Sequence, residues 1–327
     1  MSTRAADDLK AVASLQTRER RLAAQPPGFV RTVGCVLVLM RPRQWVKNLL
    51  VLAAPLFAGR LFEPAVLARS LLALVAFCAA SSAIYVYNDV RDAAMDRLHP
   101  LKSRRPMAAQ LIPPGFALAV SASLVVVALL VGVAADPRVS LLVALYVLLM
   151  LGYCELGRSR APIDVFIIAA GFLLRALAGA AAGRVTPSPW FLALTLLLAL
   201  MLGFGKRRAE LSMLAARGQP ARPSLETYSV AMLDQLLSVL AASIIVLYAI
   251  YAVSITTRIG SSDMILTWPL VLFGVIRYLQ VSHVTDRPPD ELVVTDRAIL
   301  GSVLAYAAVA AAVLHFHTHL VSQVSLG

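Results

Sequence analysis

The sequence predicts an all-α polytopic membrane protein, a single bundle of nine transmembrane helices with the N-terminus on the cytoplasmic side. Three observations predict it. Of 327 residues, 59% are hydrophobic and 15% charged, whereas soluble domains run about 45–50% apolar and about 25% charged; mean hydropathy is +0.78. Nine apolar stretches come close to the roughly 20 residues that cross a hydrocarbon core of about 30 Å. Lysine and arginine are also distributed unevenly. With the N-terminus inside, 23 of the 30 flank the spans on the cytoplasmic side, against Arg60, Arg69, Arg138, Arg184 and Arg258 on the other, with Arg175 and Arg277 inside spans. Positively charged flanks are retained in the cytoplasm, so topology absorbs most of the net charge of +12 without a nucleic-acid partner.

Residues 1–28 are expected to form a cytoplasmic N-terminal segment, amphipathic or disordered. They are too polar for a signal peptide. Leu9, Val12, Leu15 and Leu22 recur at near-helical spacing among Lys10, Arg18, Arg20 and Arg21, which suits an anionic membrane surface. Residues 29–327 make one transmembrane domain with spans at 45–61, 68–88, 111–134, 139–155, 163–183, 189–205, 233–256, 265–281 and 298–320. The first is the least regular, because Pro55 and Gly59 interrupt it. Cys35, Cys78 and Cys154 lie far apart in apolar sequence and read as buried small hydrophobes. The small-residue run Ala178-Gly179-Ala180-Ala181-Ala182-Gly183 permits close helix contact within a protomer or in a homo-oligomer.

In such a chain the polar exceptions carry the functional information, because ionisable groups near lipid are costly. The strongest constellation closes the second span: Tyr87, Asn88, Asp89, Asp92 and Asp96. Asn88, Asp92 and Asp96 are spaced i, i+4, i+8, and Asp89 lies three and seven residues from the latter two, so all four share one helical face. Three like charges on one stripe repel unless a cation joins them, and Mg2+ takes carboxylate oxygens while keeping positions for water or phosphate. A solvated helix end balanced by Arg91 and Arg97 is the alternative, against which Asn88 extends the stripe into apolar sequence. Next comes a basic loop containing His99, Lys102, Arg104 and Arg105, suited to a phosphorylated substrate. Three further cytoplasmic patches hold Arg43, Gln44, Lys47 and Asn48; Tyr153 and Arg158; and Lys206, Arg207 and Glu210. Arg175, about three turns into the fifth span, should point into the bundle and meet an anion or an acidic side chain.

At Asn88–Asp96 the sequence resembles the UbiA superfamily of intramembrane prenyltransferases, whose first aspartate-rich motif, NDxxDxxxD, closes the second of nine helices. That superfamily carries a second aspartate-rich motif near helix five; here the region offers only Glu155 and Asp164 among Arg158, Arg160 and Arg175. The strings RPRQWVKN at 41–48, NDVRDxxxDRxHPxKxxRP at 88–106, LxRAxAG at 173–179, GKRxAEL at 205–211 and SLExY at 224–228 are similar to the decaprenyl-phosphate phosphoribosyltransferase branch over most of the chain. The resemblance implies a Mg2+-dependent glycosyltransferase in the bacterial inner membrane with its site facing the cytoplasm. Its reaction joins phosphoribosyl diphosphate to a polyprenyl (decaprenyl) phosphate and releases pyrophosphate, on the way to a lipid-linked arabinose donor for cell-wall arabinan.

On that reading Asp89, Asp92 and Asp96, with Asn88, hold the metal and are the catalytic set. Lys102, Arg104 and Arg105 bind the phosphates of the sugar donor, and Arg43, Lys47, Arg158, Arg175 and Lys206 the remaining phosphate oxygens, lipid head included. Gln44, Asn48, Tyr87, Tyr153, Arg207 and Glu210 complete the substrate-binding set. Two rivals stay open. A UbiA-type prenyltransferase with an isoprenyl diphosphate donor predicts a second acidic cluster, and a lipid transporter predicts midplane sites and internal repeats.

Overall fold

The computed structural model describes residues 29–98, 102–157, 160–216, 218, 223–259, 262–285 and 287–324. The expected N-terminal segment 1–28, His99 and Arg158 lie outside these residues. Helices dominate. In order they are α1 (Phe29–Met40), α2 (Ala53–Phe57), α3 (Pro64–Leu98), α4 (Pro114–Ala135), α5 (Pro137–Gly152), α6 (Ile163–Gly183), α7 (Pro189–Ala216), α8 (Pro223–Glu226), α9 (Val230–Ile259), α10 (Trp268–Val284), α11 (Pro289–Thr295) and α12 (Arg297–Val324). Among the described residues seven helices are long and apolar enough to cross a bilayer, and they coincide with the second to eighth expected spans.

The first expected span is not one helix. A 3-10 stretch, Pro42–Leu52, runs into the five-residue α2. Pro42 and Pro55 lack the N–H that a continuous ladder needs, and Gly59 turns the chain at φ 69°. At the ninth expected span stands α12, Arg297–Val324.

The chain divides into two compact units, residues 1–43 with 82–124, and residues 44–81 with 125–327; α3 and α4 each contribute to both. In the first unit, Cys35 and Leu39 of α1 pack with Val86 and Ala93 of α3 and with Met107, Ile112 and Ala117. Two buried hydroxyls tie the elements together: Ser82 donates to the Met40 carbonyl at 3.0 Å and Ser121 to that of Ala83 at 2.9 Å. In hydrocarbon such side-chain bonds satisfy backbone groups that water cannot reach.

The second unit is larger. Its core joins α6, α7, α9, α10 and α12 through Val165, Leu200, Phe204, Leu237, Ile244, Val275 and Ile299. The hairpin from α4 to α5 turns at Asp136, whose carboxylate accepts from the backbone N–H of Arg138 at 3.0 Å with Pro137 at the first helical position, an N-cap that satisfies an otherwise orphan donor. Along α5, Val139, Val143, Tyr146, Val147 and Met150 are buried while Leu141, Leu145 and Leu148 are exposed. That apolar outer stripe would be a liability in water and is the surface a bilayer covers.

Gly179 sits where α6 crosses the 3-10 stretch: a Cβ there would land on the carbonyl oxygen of Val51. The small-residue run of α6 is thus used, at this position, for an approach within the chain.

Candidate active site

Among the described residues, three polar clusters contain expected site residues, one in the first unit and two in the second.

The first occupies the end of α3. Asp89 and Asp96 are buried, Asn88 and Asp92 half-buried. Helical spacing lets the Asn88 amide donate to Asp92 Oδ2 at 3.1 Å. Asp89 and Asp96, two turns apart, converge on one nitrogen: Arg105 Nη1 donates to Asp96 Oδ2 at 2.8 Å and to Asp89 Oδ1 at 3.3 Å. Arg41 pairs with the same Asp89 oxygen and stacks on the Tyr85 ring, 5.0 Å from its centroid.

Arg41 stands in the motif RPRQWVKN but not in the site expected from sequence. Its backbone is left-handed, φ 52°, a conformation that costs a non-glycine residue energy and concentrates at functional positions. The signal available in the sequence was its place at the break before Pro42. Tyr87 and Lys102 are half-buried nearby in the chain, and Arg43 and Arg104 are exposed.

As a metal site this cluster has the right donors, oxygen-only carboxylates with an amide. Two of them, Asp89 and Asp96, already bracket a single cationic atom, so their positions fit a divalent ion completed by water and phosphate. Among the described residues no three acidic, histidine or cysteine side chains enclose a metal position. Of the four expected ligands, Asp89 and Asp96 share one guanidinium nitrogen, and Asn88 donates to Asp92.

The second cluster joins three expected residues, Tyr153, Arg207 and Glu210, with Asp164, which has no role in the expected site. Asp164, with no exposure, accepts from Arg207 Nε at 2.9 Å and Nη2 at 2.7 Å and from the backbone N–H of Val165 at 2.8 Å. Arg207 also donates to Glu210 Oε2 at 3.2 Å and to the Tyr153 hydroxyl at 3.5 Å. Tyr153 opens a π-helical turn, Tyr153–Gly157. The next residue, Arg208, pairs with Asp234 and donates to the Ser282 carbonyl at 2.6 Å, so both buried arginines of GKRRAE are held by the protein. Lys206 is exposed.

The third cluster surrounds Arg175, 6% exposed. Among the described residues no acidic side chain pairs with it: Nε donates to Asn48 Oδ1 at 2.7 Å, Nη2 to the Tyr146 hydroxyl at 2.9 Å and Nη1 to the Gly171 carbonyl at 3.0 Å. Asn48 is fully buried and donates to Ser81 Oγ at 3.2 Å and Cys78 Sγ at 3.4 Å. Cys78 is thus a hydrogen-bond acceptor rather than only a small hydrophobe, whereas Cys35 and Cys154 are buried as expected; all three are free thiols.

Beside this cluster lies a cavity of about 520 Å³, lined almost wholly by apolar groups including Phe172, Ile244, Tyr251, Val275 and Tyr306, with Lys47 as the one cation lining it among the described residues. Its size falls within the range of small-molecule and lipid pockets. Gln44, half-buried, stands one turn before Lys47.

A match to the UbiA prenyltransferase family covers residues 48–293. The decaprenyl-phosphate phosphoribosyltransferase of Mycolicibacterium smegmatis is 33% identical over 320 residues, covering 93% of this chain and 99% of that protein. The enzyme of the same name from Corynebacterium glutamicum is 34% identical over 275 residues, 82% of each. Among solved structures, a UbiA homolog from Archaeoglobus fulgidus bound to DMAPP and Mg2+ superposes with a TM-score of 0.67 at 19% identity, over 86% of this chain and 99% of that one. The family match spans both the helices and the acidic end of α3 from which the site is built, and the chain belongs to the UbiA prenyltransferase family.

Proposed function

We propose that this protein transfers a 5-phosphoribosyl group from phosphoribosyl diphosphate to a polyprenyl phosphate, decaprenyl phosphate in the relatives' names, releasing pyrophosphate. In the anomeric centre of the donor the C1–O bond to pyrophosphate breaks and a C1–O bond to the lipid phosphate forms. The nucleophile is a phosphate oxygen, anionic at neutral pH, so no general base is required, in keeping with clusters built of carboxylates, amides and guanidinium groups. The barrier lies in separating charge between ribose and leaving group, which positioning and electrostatics can lower.

Asp89, Asp92 and Asp96 with Asn88 would hold Mg2+, which supplies neutralisation of the pyrophosphate charge. Arg105 and Arg41, which pair with Asp89 and Asp96, would turn guanidinium donors to phosphate oxygens, assisted by Lys102 and Arg104. Lys47, Arg43, Arg158 and Lys206 would bind the other phosphates, Lys47 the lipid head above all, since the cavity it lines is apolar and of a size for part of an isoprenoid chain. Gln44, Tyr87, Tyr153 and Glu210 complete the substrate contacts, with Arg207 holding Tyr153 and Glu210 in place. We take the site to face the cytoplasm of a bacterial inner membrane, with nine crossings, and the product to feed cell-wall arabinan synthesis.

The observation that carries the reading is the convergence of Asp89 and Asp96 on one cationic atom, with no comparable second set among the described residues. The acid in the position of the second family motif, Asp164, is fully buried and bound by Arg207, which leaves it unsuited to a second metal and disfavours an isoprenyl diphosphate donor. Purified protein incubated with radiolabelled phosphoribosyl diphosphate, Mg2+ and a polyprenyl monophosphate should yield a labelled lipid. No product there, with turnover of an isoprenyl diphosphate instead, would overturn the assignment.

A further inference from the structure

Arg175 poses a problem of charge. A guanidinium buried in the membrane domain is costly unless it is paired, yet its partners are an amide, a phenol, a backbone carbonyl and the faces of three rings: Tyr146 at 4.6 Å, Phe172 at 5.1 Å and Phe77 at 5.9 Å from its central carbon. Such rings attract a cation but do not neutralise it.

Two of these partners lead to the large cavity. Phe172 lines it, and Asn48 is the direct neighbour of Lys47, which lines it as well. Asn48 belongs to the 3-10 stretch Pro42–Leu52, whose backbone hydrogen bonds are poorer than those of an α-helix, so side-chain ties must set its register. Asn48 supplies them with both ends of its amide, accepting from Arg175 and donating towards Ser81 and Cys78. A one-residue shift of that stretch would withdraw Lys47 from the wall.

We infer that Arg175 is a positioning residue for the lipid phosphate. Through Asn48 it holds Lys47, and through stacking it holds Phe172, so that the cavity wall presents an ammonium where the anionic lipid head must stop. It acts behind the wall and does not touch the phosphate. This deepens the proposed function and rests on the reading that the cavity receives a polyprenyl phosphate.

The test measures equilibrium binding of a polyprenyl monophosphate and of the matching polyprenol to the full chain in detergent micelles, for wild type, Arg175→Lys, Asn48→Ala and the double variant. Lysine keeps the charge but cannot bridge Asn48, Tyr146 and Gly171 together. Both single variants should weaken binding of the phosphate by about tenfold, with little change for the alcohol, and the double variant should be no weaker than the worse single one, as expected for residues acting in one chain of contacts. Donor binding in Mg2+ should be unchanged in all of them. Multiplicative losses, or a loss in Arg175→Lys with Asn48→Ala unaffected, would overturn the inference in favour of direct contact. A lower melting temperature with phosphate affinity intact would overturn it in favour of a purely structural role. A wild-type protein that binds phosphate and alcohol equally would instead remove the underlying reading, and the inference with it.

Discussion

At the end of α3, carboxylates within one stripe are matched by Arg41 and Arg105, whose side chains are 28% and 31% exposed; on α6, by contrast, a single guanidinium is sealed among neutral partners. The first arrangement can exchange its cations. The buried carboxylates require a cation whether or not substrate is bound, and the partly exposed arginines can turn towards phosphate, so a divalent ion with a phosphate ligand can take their place. The second is held in place, because three donors of Arg175 bond to protein groups inside the bundle and removing a partner leaves a buried donor unsatisfied. One cluster is built for turnover and the other for permanence, although both consist of charged residues in an apolar chain.

The sharpest way to break this contrast is Asp89→Asn. If the stripe is catalytic, kcat/KM should fall by about 10²–10³-fold while the melting temperature changes little; near-normal turnover in saturating Mg2+ would reject the metal assignment. Gly179→Ala probes the permanent side. Its new methyl group meets the Val51 backbone, and overpacking of that kind costs about 1–3 kcal/mol, so thermal unfolding should shift downward with the KM for the sugar donor unchanged. Arg41→Gly tests the exchangeable side without that penalty, since glycine accepts the left-handed backbone. Donor affinity should drop about tenfold, the loss of one charge-assisted hydrogen bond, with stability held, and titration of the donor against the variant measures it.

The smallest effect is expected at Asp136, an ion pair of neither kind. Asp136→Ala removes the α5 cap and should cost about 1 kcal/mol with no effect on turnover. Its hydrogen bond from Arg138 holds the Asp136 carboxyl below the ordinary carboxylate value, with burial opposing. A depressed folded pKa stabilises above the unfolded value and is lost as pH falls through the folded one. The difference between wild type and Asp136→Ala should therefore persist at neutral pH and shrink only below about pH 4, which melting curves across pH 2–7 would check.

Much of this was legible in the order of residues. Seven spans stand where hydrophobic length put them, and the acidic stripe follows from spacing alone, because side chains four apart on a helix must be neighbours. The first span failed to read as a helix or as its replacement, since a 3-10 stretch differs from an α-helix in hydrogen bonding and not in composition. Arg41 escaped because the stripe and its partner lie 48 residues apart, and the Arg175 tie to Asn48 spans 127.

The sequence by itself determined that this chain is a helical membrane protein of the UbiA kind, where its spans fall and which face of α3 is acidic. These are consequences of local period and of the cost of charge in hydrocarbon. Only the tertiary structure decided which charges are spent and which remain exchangeable: that Arg207 is consumed by Asp164, that Arg175 rests on an amide and aromatic rings, and that Asp89 and Asp96 share one guanidinium. Pairing depends on which distant elements pack together, and one residue's chemistry does not carry that information.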